Sequence, residues 1–366
     1  MQMSISAVRF ISLLFLVWAF HAQAQEREAV KIGLIYPLTG PMSSFGEDMA
    51  KAVPLLERKF NAEQSKYKFL LLLEDGKFGH TNAAITAAKK LVAIDGARFL
   101  VVGSSGEILQ IAPYAESARI LCVTGFSSNA DVRNAGDFIF RTYIDAERGI
   151  SILANEIINK NIERVAIISE ESSFTLAIKG ALEKFLGTRL VFNQDYAFGE
   201  ADFKTLIAKA REKKPQAYYL NVSSPANFIA LVRQLRANGL TETFYTYYTP
   251  SLKDVQEALG SLLNGTIYLD YPDAPDASRD FKDFLAMFER ATGAEPRAAF
   301  NFRTNYNAVK VVYDAVMAAG PDPGKAKDFL YAYDRPSATG RLQFDANGDV
   351  MNLDLVLKTY HWEKTQ

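Results

Sequence analysis

The 366-residue sequence predicts an α/β protein made of two doubly wound parallel-sheet lobes joined by crossing hinge segments. Three observations carry this reading. Short β-rich runs alternate with stretches whose apolar residues recur at helical spacing. That rhythm pauses near residue 145 and restarts near residue 165. The chain that follows an N-terminal leader, about 340 residues, is more than one hydrophobic core normally serves.

The leader reads "MQMSISAVRFISLLFLVWAFHAQAQ". Arg9 precedes an apolar run from Phe10 to Phe20, and Ala22-Gln23-Ala24 follows it, the order of a secretory signal peptide cleaved after Ala24. The apolar run is shorter than the ~20 residues a membrane-spanning helix needs. Gln25 rather than cysteine would follow the cut, so no lipid anchor and no stable membrane insertion are expected.

In the first lobe Lys31 to Tyr36, Phe69 to Glu74, Phe99 to Val102 and Ile120 to Thr124 read as strands. "NAAITAAKKLVAI" between them has helical spacing. Nearly continuous apolar strands fit a parallel sheet covered on both faces by helices. The second group of strands is "RVAIISEESS", "RLVFNQDYA", "QAYYLNVSS" and "TFYTYYTP", with helices near Thr175 to Phe185, Phe203 to Lys213 and Ala226 to Asn238. The join falls at "RTYIDAERG", and the Pro- and Asp-rich "YLDYPDAPDAS" marks a second crossing. Two helices follow, "SRDFKDFLAMFERATG" and "FRTNYNAVKVVYDAVMAAG". Asn347-Gly348, between alternating runs, predicts a hairpin. The expected division is a leader over 1–24, lobe one over 25–144 plus 272–333, and lobe two over 145–271 plus 334–366.

Composition excludes several functions. Forty-one Lys and Arg against 42 Asp and Glu leave no basic footprint for nucleic acid. Cys122, the single cysteine, sits in the apolar run "RILCVTG" and reads as a buried inert thiol. The mature chain has two histidines, His80 and His361, each without a ligand cluster, so no metal is expected. There is no nucleophile elbow, no GxxxxGK[ST] loop and no GxGxxG after the first strand; no cofactor is expected. The acidic pairs Glu47-Asp48, Glu74-Asp75 and Glu170-Glu171 read as complements to helix dipoles.

The turn "LTGPMSSFG" (38–46) then poses a choice: it links a strand to a helix beginning near Glu47, and such a turn holds an anion or merely turns the chain. Here the residues resemble a known family, the periplasmic ligand-binding receptors of the branched-chain amino acid transport class. "KIGLIYPLTGPMSSFGEDMAKAV" is similar to that family's opening strand, turn and first helix. "LLLLEDGKFGHTNAAITAAKKLV", "VVGSSGEILQIAPYAE", "ILCVTGFSSNADV", "RTYIDAERG", "DFKTLIAKAREKKPQAYYLNVSSPANFIALVRQLRANGL" and "NYNAVKVVYDAV" resemble later segments in the family's order.

The resemblance implies the type I periplasmic binding fold, a small molecule held in the interlobe cleft by hinge closure, and delivery to an ABC permease. It implies a periplasmic, non-catalytic protein, expected to be a monomer. In such folds ligands collect beyond the C-terminal ends of parallel strands, where helix N-termini receive an anion. Ser104, Ser105 and Gly106, with Phe126, Ser127 and Ser128, stand where the family holds a carboxylate; helix capping is the alternative. Phe45 takes the aromatic position over the ligand, or is plain core. Phe174 stands where the family commonly has tyrosine, and Ser223 and Ser224 are contacts or caps. The sequence departs from the family at Tyr247 and Tyr248, where amino-acid binders place an acid for the ligand's ammonium. A buried ammonium without a carboxylate is costly. A carboxylate without a free amine, enclosed by Phe45, Phe126, Phe174 and Tyr248, is therefore the expected ligand, unless Asp145 or Glu107 supplies the acid. A ligand sensor acting on a regulatory partner is the alternative to transport.

Overall fold

The computed structural model describes residues 27–40, 42–78, 80, 82–272 and 277–362; the leader and its cleavage site lie outside them. Two sheets organise the chain. In the first, β1 (Glu28–Tyr36), β2 (Tyr67–Asp75), β3 (Phe99–Val102), β4 (Leu121–Thr124) and β5 (Ile139–Arg141) lie in the order 2-1-3-4-5, every pair parallel. The helices between them are α1 (Ser43–Glu63), α2 (Ala83–Lys89, running on as a wider turn to Ile94) and α3 (Ser105–Ala118).

Alternation along the strands explains why they read as unbroken apolar runs. Phe99 and Val101 join the core cluster on the side of α1, while Leu100 and Val102 join the one built with α2 and α3. Both faces are covered, so neither register position tolerates a polar residue. Cys122 is buried on the α3 side, and burial pushes its thiol well above the usual range, as its apolar setting requires.

The second sheet contains β6 (Val165–Glu170), β7 (Leu190–Tyr196), β8 (Ala217–Asn221), β9 (Thr243–Thr246) and β10 (Ile267–Asp270), with β13 (Val356–Thr359) added at one edge; the order is 13-10-9-8-6-7. Only β13 runs antiparallel. The sheet is thus two strands wider than the four expected. Its helices are α4 (Ala146–Asn159), α5 (Ser173–Leu186), α6 (Lys204–Glu212), α7 (Pro225–Ala237) and α8 (Lys253–Leu259). Two more, α9 (Arg279–Thr292) and α10 (Ala299–Ala319), return to pack on α1, and α11 (Pro323–Tyr331) packs on α10.

One expectation needs correction. The first helix begins at Ser43, four residues before Glu47, so Phe45 lies in its first turn. Asn347-Gly348 does turn a short antiparallel pair, with a bridge from Phe344 to Val350, Asp345 N donating to Asp349 O at 2.8 Å and Met351 N donating to Gln343 O at 2.9 Å; a second hairpin precedes it at β11 (Asp334–Ser337) and β12 (Gly340–Gln343). Arg141 also takes the backbone of the Asn347-Gly348 turn: its N–H donates to Gly348 O at 2.8 Å and its carbonyl accepts from Val350 N at 3.1 Å. The hairpin of β11 and β12 bonds to α10, with Ala338 N donating to Asn307 Oδ1 at 2.8 Å. From these contacts we propose that the chain returns to the second lobe after Val350 rather than at residue 334.

Candidate functional site

Both sheets place their switch points so that strand ends face one another. The chain leaves β1 for β2 on one side and β3 on the other, and leaves β6 for β7 and β8 likewise. The crevice beyond the C-terminal ends at such a point is where loops collect. In the first lobe these loops are 37–42, 103–104 and 125–129; in the second they are 171–172, 222–224 and 247–248.

The opening turn is fixed by Asp75 at the end of β2. Asp75 accepts from Leu38 N at 2.9 Å and from Thr39 Oγ1 at 2.5 Å. Gly46 is required by closeness, because a Cβ there would stand 2.1 Å from Pro37 O. The turn therefore presents Phe45, buried at the lobe junction, and its own donors go to Asp75 rather than to an anion.

The serine loops follow. Ser104 caps α3 by accepting from Glu107 N at 3.4 Å. Ser105 and Ser127 meet across the loops, with Oγ atoms 3.0 Å apart. Ser128 Oγ is buried with no partner among the described residues. In the second lobe Ser172 caps α5. Ser223 and Ser224 are engaged internally by Glu170, which is fully buried. That carboxylate accepts from Ser223 N at 3.0 Å, Ser223 Oγ at 2.6 Å, Ser224 N at 2.8 Å and Asn227 Nδ2 at 2.7 Å. Burial raises the Glu170 pKa, and these four donors oppose the rise. Glu170 thus organises the loop, a task beyond the dipole complement read for it.

The aromatic candidates do come together. Phe126 stacks on Phe45 at 5.7 Å and on Phe174 at 5.2 Å, and meets Tyr248 edge-on at 5.4 Å between ring centroids. Tyr247 meets Phe174 at 5.8 Å. Tyr143 and Phe300, neither singled out in the sequence, extend the cluster: Tyr143 lies 5.1 Å from Phe126, and Phe300 stacks on Tyr248 at 5.1 Å. These rings come from both lobes and pack on each other. A planar solute inserted between Phe126 and Phe174 needs about 7 Å, twice the ~3.5 Å contact distance. The four rings therefore form a plug rather than the expected cage, and a solute enters among them only when the lobes part.

Open volume lies beside the plug. A cavity of about 300 Å³ is lined from the first lobe by Gly76, Phe78, His80, Ala84, Ser104, Gly106, Glu107 and Gln110, and from the second by Glu171, Ser172, Ser173 and Phe198. It is bounded by the N-termini of α3 and α5, whose residues nearly touch: a Cβ on Gly106 would stand 3.7 Å from Ser173 Cβ. Phe78 and Phe198 close one side with centroids 5.5 Å apart. Glu107 is 4% exposed, and neither carboxyl oxygen has a hydrogen-bond partner among the described residues. Burial, opposed by the neighbouring Ser104 hydroxyl and helped by the Asp75 charge, pushes its pKa up to about 8. His80, read as a lone surface residue, is exposed and stands at the edge of this cavity. No group of three or more His, Cys, Asp or Glu able to hold a metal occurs among the described residues.

The segments that cross between lobes are held by one buried ion pair. Arg141, at the end of β5, donates to Asp349 through Nε at 2.8 Å and Nη2 at 2.6 Å, and to Asn129 O at 2.8 Å. Asp145 caps α4, and Arg148 donates to Val350 O at 2.7 Å.

Comparisons with known proteins agree with this architecture. The family profile described as periplasmic binding protein matches residues 29–359. An amino acid binding protein of Pseudomonas aeruginosa is 27% identical, covering 91% of this chain and 90% of its own. A leucine-, isoleucine-, valine-, threonine- and alanine-binding protein of the same organism is 24% identical, covering 95% and 94%. Among solved structures, a leucine-binding protein from Thermotoga maritima superposes with a TM-score of 0.81 at 22% identity, covering 90% of this chain and 95% of its own. A solute-binding protein of an ABC transporter from R. palustris, in complex with benzoate, gives 0.80 at 17% identity, covering 92% and 94%. With two parallel-sheet lobes, strand ends facing across a cleft and a profile match over nearly its whole length, the chain belongs to the periplasmic binding protein family, whose members bind solutes rather than transform them.

Proposed function

We propose that this protein, exported to the periplasm by a leader cleaved near Ala24, captures a small carboxylate-bearing solute between its lobes and delivers it to the permease of an ABC transporter. The solute is amino-acid-like or an aromatic or aliphatic acid. The observation that carries this reading is the interlobe cavity bounded by the N-termini of α3 and α5, with Ser104, Gly106, Ser172 and Ser173 in its lining. Two helix ends supply unpaired N–H groups and positive dipole ends to one space, which favours an anion. Relatives named for amino acids and a fold neighbour holding benzoate share one feature in their ligands, the carboxylate. The rings of Phe45, Phe126, Phe174 and Tyr248, adjacent to the serine loops, supply apolar surface for the rest of the solute once the lobes separate.

The test is a thermal-shift screen of the mature protein against amino acids and against aromatic and aliphatic acids, each paired with its neutral primary amide. At a concentration ~100-fold above Kd, a bound solute adds about 2.7 kcal/mol, which a melting curve resolves. At least one carboxylate is expected to raise the melting temperature while its amide does not. A screen in which amides stabilise as well as acids, or in which nothing stabilises, removes the anion site.

A further inference from the structure

We propose that Glu107 receives an ammonium group of the solute, in place of the acid that the strand end at Tyr247 and Tyr248 lacks. The inference rests on reading the interlobe cavity as the solute site, and it narrows the solute to a molecule carrying both charges.

A carboxyl buried with both oxygens unpartnered is a costly arrangement for a fold to keep, since a buried acceptor without a hydrogen bond loses its hydration with nothing in return. Glu107 is kept in that condition while lining a cavity of about 300 Å³. Its oxygen is also pressed against backbone, because a Cβ on Gly76 would lie 2.3 Å from Oε1. Two unsatisfied acceptors call for donors. Of the groups facing Glu107, the Ser104 hydroxyl offsets part of its burial and the Asp75 charge adds to it, the buried Tyr36 phenol stays neutral beside its charge, and His80 and Glu171 complete the titratable lining. Among the described residues, no lysine or arginine belongs to that lining. With Glu107 and Glu171 as its acids, the cavity complements a cation near Glu107 and an anion at the helix ends. Glu107 stands two residues after Ser105 on α3, so the two charges of one small zwitterion find counterparts within one helical turn.

The proton balance follows. Glu107 is held neutral below about pH 8. Pairing with an ammonium requires the ionised form, so its proton leaves to the buffer and the ammonium keeps its own three. Binding of the amine-bearing solute releases up to one proton below pH 8 and tightens with rising pH, by up to about tenfold per unit.

The experiment uses two matched pairs, L-leucine with 4-methylpentanoate and 4-(aminomethyl)benzoate with 4-methylbenzoate, titrated calorimetrically at pH 7 in buffers of different ionisation enthalpy. One amino member is expected to bind about tenfold to a hundredfold more tightly than its amine-free partner, the worth of a hydrogen-bonded charge, with net proton release. In Glu107→Gln that ratio falls to about one and the release disappears. Because the glutamine keeps the shape of the site, circular dichroism and melting of the variant verify its fold. Amine-free acids binding as well as their partners, or proton release surviving in Glu107→Gln, would overturn the role of Glu107 while leaving the carboxylate reading intact. Failure of both pairs alongside a failed amide screen would instead remove the solute site itself.

Discussion

Two buried acids illustrate how neighbours decide what a residue does. Glu170 ends β6 and Glu107 lies in the first turn of α3, and both are almost wholly buried. Glu170 meets four donors and fixes a loop, whereas neither carboxyl oxygen of Glu107 has a hydrogen-bond partner among the described residues. The difference has a consequence for stability. The pKa of Glu107 is raised to about 8 in the folded chain against an ordinary value of ~4.3. The folded state therefore binds more protons than the unfolded state between those limits, and stability falls as pH rises through that window. Glu107→Gln removes the penalty. Its melting temperature is expected to match the parent protein near pH 4.5 and to exceed it by at least about 2 °C at pH 8.5, where a difference of ~1 kcal/mol is already visible. Melting curves across that range check it; a variant equally or less stable at pH 8.5 would mean that Glu107 has a partner in the fold.

At the scale of elements, the strand ends were legible and the crossings were not. The runs at 31–36, 69–74 and 99–102 match β1 to β3 closely because local apolarity and the turn that follows specify a buried parallel strand without reference to distant chain. Placement of Ser104, Ser105, Phe126, Phe174 and Tyr248 beyond strand ends follows from the same local pattern. Their packing on one another does not, since the spacing between lobes is set by residues far apart in sequence. β5 is three residues, "IFR", too short to show a period. An Asn-Gly turn announces itself, yet the bonds its flanks also make to Arg141, about 200 residues earlier, do not. Glu107 stands in the sequence as one alternative source of the missing acid; its close packing against Gly76, in another loop, has no local signal. The Arg141 to Asp349 pair can be tested directly, because both side chains are almost fully buried, 1% and 5% exposed. Asp349→Ala leaves a guanidinium inside the protein with only carbonyl partners, a change that costs about 3–5 kcal/mol. A lowered urea midpoint of that size is expected. A loss below about 1 kcal/mol would mean that the backbone bridges and the Arg148 contacts to Val350 and Met351 hold these segments without the ion pair.

For the whole molecule the decisive quantity is whether the lobes separate to admit a solute. The ring plug joins the lobes through Phe126 and Phe174, and the helix ends meet at Gly106 and Ser173, so entry to the plug requires relative motion of the lobes about the crossings we propose near residues 142–145, near 272 and after Val350. Two lobes joined by such segments close by hinge motion in general, and a solute shifts that balance by its preference for the closed arrangement. The contact between helix ends provides a lock. A Cβ on Gly106 lies 3.7 Å from Ser173 Cβ, close to the ~3.8 Å mean of disulfides, and the single native thiol, Cys122, is buried and unreactive toward it. The double variant Gly106→Cys, Ser173→Cys is expected to oxidise to a monomer without free surface thiols. In that form the association rate of any solute found by the thermal screen should fall at least about tenfold, and a reductant should restore the rate of the reduced double variant. Comparison of the two redox states of one protein cancels whatever the substitutions do to the cavity lining itself. Equal association rates in both states would show that the solute reaches its site through the cavity mouth with the lobes in contact, and that hinge opening has no part in loading.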